Sequence, residues 1–416
     1  MSSTTTPPSV IDGPLAWRRL FAAVLIGTVG GIGMWTIPVA LPAVQAEFAI
    51  DRSSASLPYT LTMLGLAAGG ILMGRLADQR GIRYPLALGV IGLATGFTAA
   101  AFAPTLLAFT IAHGLLIGAL GSSAFFAPLV ADITCWFQRR RGIAVAICAS
   151  GNYLAGVIWP PMISYGILNY GWRTTYLVVA AGCAILLPPL LMLLRRPPPP
   201  QPALTTSNTG VTANAERPLG LAPNTLIALL TLAGVACCVA MSMPQVHLVA
   251  YCGDLGIGAQ RGAEMLSLML VGGVASRLIS GLLSDKLGGL ASLIIGSTLQ
   301  ALALMLYLPF TSLSGLYVVS ALFGLAQGGI VPSYAVIIRE HMGSAGTATR
   351  ISLVLMATVA GMALGGWLSG IIFDLTGSYR LAFVHGAAWN VLNLGIALFL
   401  FSRAHPRKSR HVTIAT

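Results

Sequence analysis

The stretch GRLADQRGIR, residues 74–83, decides how this chain is read. It is a short polar loop, with Arg75, Arg80, Arg83 and Asp78 among glycines, and it lies between two long apolar runs. A degenerate copy, GLLSDKLG, stands at Gly281–Gly288, with Asp285 matching Asp78 at an offset of 207 residues. The same offset lays GWRTTYLV (171–178) over SYRLAFVH (378–385), so Arg173 falls on Arg380. One offset joining two separated motifs indicates two parallel copies of a single unit.

Composition says what the unit is. Hydrophobic residues make up 56% of the 416 residues and charged residues 8%, with a mean hydropathy of +0.84. Soluble domains carry about 25% charged residues, so a polytopic membrane protein is expected. Twelve apolar segments are long enough to cross a bilayer as helices, near 17–44, 54–77, 84–103, 106–135, 142–167, 173–195, 224–250, 259–284, 290–309, 313–338, 347–373 and 380–403. The first follows Arg18 and Arg19, but it is too long for a signal sequence and eleven similar segments follow it. The run RRPPPPQPALTTSNTGVTANAERPLG (195–220) cannot bury a core and reads as a linker. The expected fold is therefore an all-α membrane protein, twelve transmembrane helices in two pseudo-symmetric six-helix bundles. The divisions are a tail at 1–16, a bundle at 17–195, a linker at 196–223, a bundle at 224–403 and a tail at 404–416.

The charges orient it. There are 23 Lys and Arg against 11 Asp and Glu. In a soluble protein that excess would suggest nucleic acid; here the basic residues cluster between spans. With both termini cytoplasmic, eighteen lie inside and four outside (Arg52, Arg173, Arg261 and Arg380), a strong positive-inside pattern. A bacterial inner membrane is the expected location, and no nucleic-acid partner is expected. The six cysteines form no C-x-x-C pair or Cys/His cluster, so neither a metal nor a disulfide framework is expected. No phosphate-binding glycine loop and no mid-membrane catalytic constellation is present, which argues against an ATP-driven pump, a cofactor or an enzyme.

One basic residue is left over. Arg277 lies nine residues before Lys286, or ~13 Å along a helix, close to the middle of a hydrocarbon core ~30 Å thick. A charge there costs at least ~2.5 kcal/mol, so it must face a wet cavity or a partner. Arginine stays protonated, and no unambiguous mid-membrane acid accompanies it. A bidentate clamp for a substrate carboxylate fits; the alternative is a structural arginine held by backbone carbonyls.

These residues resemble a known family. Gly74–Arg83 closely resembles the loop signature between the second and third spans of the major facilitator superfamily, and the resemblance covers essentially the whole chain. Within it, WFQRRRGIAVAICASGNYLAG (Trp136–Gly156) is similar to the junction of spans 4 and 5 in the monocarboxylate transporters. An arginine inside span 8 marks that family and the related oxalate/formate exchangers, and Arg277 matches it. Animal members carry an Asp one helical turn before that arginine, where this chain has Gly273. They also carry a Lys after a Pro in span 1, where Val39 follows Pro38 here. The second cation of the oxalate exchangers, a Lys in span 11, has no counterpart in residues 351–373. One central cation suits a monoanion.

The resemblance implies a secondary transporter that moves a small monocarboxylate by alternating access, coupled to a proton. The alternative is a carboxylate exchanger, and a drug-efflux pump is a third reading. Ser122, Ser123, Asn152, Tyr153 and Gln327 fall centrally in their spans, Trp35 and Tyr59 in the outer halves of spans 1 and 2, and Tyr334 toward the inner end of span 10. The superfamily's layout, with spans 1, 4, 7 and 10 lining the cavity and 2, 5, 8 and 11 beside them, makes them candidate substrate contacts, each of which could instead be interhelical packing. His247 is the candidate proton carrier. Asp78, Arg80, Arg83, Asp132 and Asp285 are expected to gate. Asp78 would face the N-terminal end of span 11, whose dipole favours an anion, and a basic loop residue would hold Asp132.

Overall fold

In a bilayer every backbone N–H must find a partner within its own segment, so each apolar run becomes a helix. A computed structural model describes residues 11–137, 139, 141–195, 218–342 and 347–404. Twelve helices long and apolar enough to span a membrane appear among them. They are α1 (Pro14–Phe48), α2 (Arg52–Arg80), α3 (Arg83–Ala101), α4 (Leu106–Trp136), α5 (Arg141–Tyr170), α6 (Trp172–Met192), α7 (Pro223–Asp254), α8 (Ala259–Leu287), α9 (Gly289–Leu306), α10 (Leu313–His341), α11 (Thr347–Thr376) and α12 (Arg380–Ala404). Residues 196–217 of the linker expected at 196–223, and residues 1–10 and 405–416 of the expected tails, lie outside the described residues, as does the side chain of Asp285.

Local chemistry sets the ends. Asp51 caps α2 by accepting from the Ser54 N–H at 2.7 Å, and Ser312 caps α10 through the Gly315 N–H at 3.2 Å. The repeated loop motif ends in glycine for a conformational reason: Gly81 (φ 83°) and Gly288 (φ 82°) both close their helices at positive φ, which side chains rarely adopt. Arg173, in the second repeated motif, donates to Ala101 O and Ala103 O at 2.5 and 3.1 Å, and pairs with Glu47 at 2.7 Å, fixing the end of α3 that the positive-inside pattern puts outside.

The repeat is visible in packing. A Cβ on Gly65 of α2 would stand 2.1 Å from Gly114 O of α4. Its mate 207 residues on, Gly272 of α8, meets Ala321 O of α10 at 3.0 Å. Each helix pair crosses backbone to backbone, which only a small residue permits. The same offset relates two interruptions. α4 winds as a π-helix over Ala112–Gly121 and tightens to 3-10 at Ser122–Phe125, while α10 is broken at Gly328–Gly329. α1, read from sequence as one continuous run, is also interrupted, at Gly31. The two bundles meet where α2 lies on α11, α5 on α8, and the outer part of α1 on α7.

Candidate substrate site and outer gate

Arg277 points from α8 across the seam to α5. Its guanidinium carbon lies 4.0 Å from the centroid of the Tyr153 ring, and Nη1 donates to Ala149 O at 3.4 Å. Nε is buried and has no partner. A guanidinium carries five N–H donors. Among the described residues this one has a single long hydrogen bond and an aromatic face. A cation–π contact contributes about 0.5–2 kcal/mol, which does not replace the hydration or counterion that a mid-membrane charge needs. The arrangement holds the cation in place and leaves most of its donors uncommitted.

Tyr153 also packs against Gly273. A Cβ on Gly273 would stand 2.4 Å from Tyr153 Cε1, so the ring fills the space one turn before Arg277. The mate of Arg277, 207 residues earlier, is Gly70, whose Cβ would meet nothing within 4 Å.

The other candidate contacts divide. Asn152 O accepts from Trp35 Nε1 at 3.0 Å, and the Asn152 amide reaches Met34 Sδ at 3.5 Å, joining α5 to the part of α1 beyond its break. Trp35 and Leu270 of α8 both border Gly156, so these residues share the α5–α8 seam with Arg277. Ser122 and Ser123 sit in the 3-10 turn of α4. Ser123 donates to Ala119 O at 2.6 Å, while Ser122 Oγ is buried without a partner. Gln327 accepts from Gln245 of α7 at 2.8 Å, a partner the sequence did not indicate, and Gln327 Nε2 and Gln245 Oε1 are left buried and unpaired. Tyr59 is buried against Gly366 of α11 with its hydroxyl unpaired. Tyr334 corrects its expectation. Its hydroxyl donates to Asn393 of α12 at 2.9 Å, and Asn393 in turn bonds Ser297 of α9, inside the core of the second bundle. The α10 break turns this residue away from the α5–α8 seam and into its own bundle.

The outer face carries a charged latch across the two halves. Asp374, in the last turn of α11, accepts the Arg52 and Ser53 backbone N–H groups at 2.8 Å each. It thereby caps the N-terminus of α2 from the other bundle. The Arg52 side chain is 8% exposed, donates to both Asp254 oxygens at 2.9 and 3.0 Å, and its guanidinium carbon lies 4.7 Å from the Phe373 ring centroid. His247 lies beneath. Nε2 is 2.7 Å from Gly366 O, so it carries the proton, and Nδ1 then accepts from the Tyr379 hydroxyl at 2.9 Å. The stretch of α7 from Ala236 to Cys252, at the latch end, is buried throughout, whereas the opposite end is buried only in alternation. The outer side of the interface is closed.

The candidates at the opposite end, which the positive-inside pattern puts on the cytoplasmic side, are arranged differently. Asp132 is held by Arg19 of α1, which donates Nε to Oδ2 at 2.6 Å and Nη2 to Oδ1 at 2.8 Å. The expected partner, a basic residue of the α2–α3 loop, is therefore corrected. Arg19 enters the same bundle one helix away and forms a bidentate pair with both side chains nearly buried, at 3% and 5% exposure. Asp78 is exposed and has no hydrogen bond among the described residues; residues 343–346, before its expected partner helix, lie outside them. Arg80 and Arg83 are exposed and border a cavity at the rim of that end. Two rim cavities are described, and Arg277 lines neither.

Comparisons with known proteins agree with this architecture. The family model described as Major Facilitator Superfamily matches residues 23–349 and 230–415. Monocarboxylate transporter 13 of Rattus norvegicus is 26% identical over 96% of this chain and 91% of its own length. Monocarboxylate transporter 11 of Mus musculus is also 26% identical, over 92% and 86%. Among solved structures, a bacterial homolog of the human lysosomal transporter Spinster, inward-facing and occupied, superposes with a TM-score of 0.70 at 17% identity, covering 94% of this chain and 97% of that one. A nucleoside transporter superposes at 0.71 with 16% identity, over 93% and 100%.

Proposed function

The chain belongs to the major facilitator superfamily and is a secondary transporter, and from that premise we propose that it carries a small monocarboxylate, paired in transit with Arg277. The observation that carries the reading is the guanidinium with one long hydrogen bond and a buried, unpartnered Nε. The two monocarboxylate transporters matched over nearly their full length support the substrate class. A carboxylate accepts two parallel N–H bonds from such a group. It also neutralises a charge over which neither half could otherwise close at low cost. Loading then releases the halves to rock, and the Arg52–Asp254–Asp374 latch is the outer contact that must part. Both termini are cytoplasmic in this reading, on the positive-inside distribution.

Proton coupling is assigned to His247, which can take a proton on Nδ1 if the Tyr379 hydroxyl turns to accept from it. A second reading, exchange of one carboxylate for another, is favoured by Gly273. With Tyr153 filling that space, no acid stands one turn from the arginine.

The test is uptake of a labelled carboxylate panel into proteoliposomes, with and without an inward proton gradient. Wild type is expected to accumulate a monocarboxylate, and Arg277→Lys and Arg277→Ala are expected to lose it, the lysine because a point charge cannot form the bidentate fork. Stimulation by the gradient identifies symport; stimulation only by internal carboxylate identifies exchange. Normal uptake by Arg277→Ala would make the arginine structural and remove the proposal.

A further inference from the structure

The cytoplasmic end of the α3–α6 seam holds a cavity of about 790 Å³ that the transport reading does not use. Its rim is Arg80, Arg83 and Arg195, and no acidic residue lines it. Among the described residues none of the three arginines makes an ion pair. Its walls are apolar and come from both helices, with Ile91 on α3 and Leu191 and Met192 on α6. Ile91 is 58% exposed and Met192 54%, so the groove opens sideways towards the bilayer. The opening has a local cause. Gly81, at positive φ, turns the α2–α3 loop outwards, and α6 carries Pro188 and Pro189 just before its end. A second cavity of about 660 Å³ shares Met192 and Arg195 and adds Arg18, so basic charge continues around the end of α6.

Three guanidiniums around one opening repel one another unless an anion sits among them. A small soluble anion would satisfy the rim and leave the apolar walls wet. A molecule with an anionic head and a hydrocarbon tail covers both at once. We propose that this cavity binds an anionic phospholipid of the cytoplasmic leaflet, its phosphate among Arg80, Arg83 and Arg195 and an acyl chain along the α3–α6 groove. Basic pockets between helices on the cytoplasmic side suit such headgroups. The bound lipid would also tie the α2–α3 loop, which carries the superfamily signature, to the end of α6.

The test uses the full chain in nanodiscs of phosphatidylcholine containing a minor fraction of phosphatidylglycerol with the same acyl chains. Lipid retained by the protein is then counted by native mass spectrometry. Wild type is expected to retain phosphatidylglycerol in preference to phosphatidylcholine. At the strength typical of a basic residue near an anionic leaflet, each arginine contributes roughly fivefold and the three together about a hundredfold. The triple variant Arg80→Gln, Arg83→Gln, Arg195→Gln should lose the preference. Ala87→Trp, which fills the groove wall without changing charge, should lower retention. Arg339→Gln, an exposed rim arginine on α10, should leave it unchanged. Equal retention of the two lipids by wild type, a preference that survives the triple variant or Ala87→Trp, or an equal loss in Arg339→Gln would overturn the proposal.

Discussion

Replacing Asp374 by Asn should open the outer face. The carboxylate accepts two backbone N–H groups at 2.8 Å from the start of α2, both across the interface between bundles. Hydrogen bonds to a charged acceptor contribute about 1.5–3 kcal/mol each, and an anion at a helix N-terminus adds about 0.3–1 kcal/mol. Asparagine keeps one acceptor, loses the charge, and turns an N–H₂ towards the second backbone donor. The outward-closed state should therefore lose about 2–4 kcal/mol relative to the open one. That shifts the ratio of closed to open by about 30-fold to 1,000-fold, enough to populate an open state that is rare in wild type. Spin labels at Phe102 and Phe310, exposed on outer turns of opposite bundles, would read the change as a second, longer distance in electron–electron double resonance. The labels go into a background with Cys135, the half-buried cysteine, changed to Ser. Identical distance distributions in wild type, Asp374→Asn and Asp374→Ala would show that this latch does not hold the outer face shut.

Gly273→Asp should cost about 1–3 kcal/mol through collision with the Tyr153 ring, seen as a lower melting temperature, and Gly273→Asp with Tyr153→Ala should recover folding. Arg19→Met should cost about 3–5 kcal/mol by stranding a buried carboxylate, and Arg19→Met with Asp132→Leu should recover most of it; thermal unfolding in detergent measures both. His247→Gln should keep carboxylate counterflow in proteoliposomes and lose stimulation by an inward proton gradient; retained stimulation would move the proton elsewhere.

The fold was legible because its signals are long and repeated. Twenty-residue apolar runs, positive-inside charge and one offset joining Gly81 to Gly288 and Arg173 to Arg380 all point to one topology. The break of α1 at Gly31 was not legible, since a glycine inside an apolar run looks the same whether the helix bends or continues. At the site, Arg277 stood out because a mid-membrane charge is costly anywhere. Its contact with Tyr153 depends on how α5 and α8 cross, which no local pattern records. The latch was missed for a related reason. The sequence pointed to Asp78 as a carboxylate facing a helix N-terminus of the other bundle inside, while the described contact of that kind between the bundles is made outside by Asp374. There was a hint. An acid in the last turn of α11 opposes that helix's own dipole, so its placement there implies service to a different helix. Asp132 was placed at the right helix end, but its partner came from α1, because a bidentate pair forms with whichever guanidinium the packing brings into the bundle.

The two bundles repeat each other in backbone but not in the charge carried by α8. Gly70 stands where Arg277 would have its twin. A carrier with a cation on both sides would be indifferent to which way round its cargo lay. On the proposed carboxylate reading, this one gives the cargo a head and a tail: the acid end belongs to the second bundle, and whatever follows the carboxylate is left to the first. Selectivity among acids of different chain can then change by substitution in the first bundle alone, without touching the charge that makes any of them a substrate.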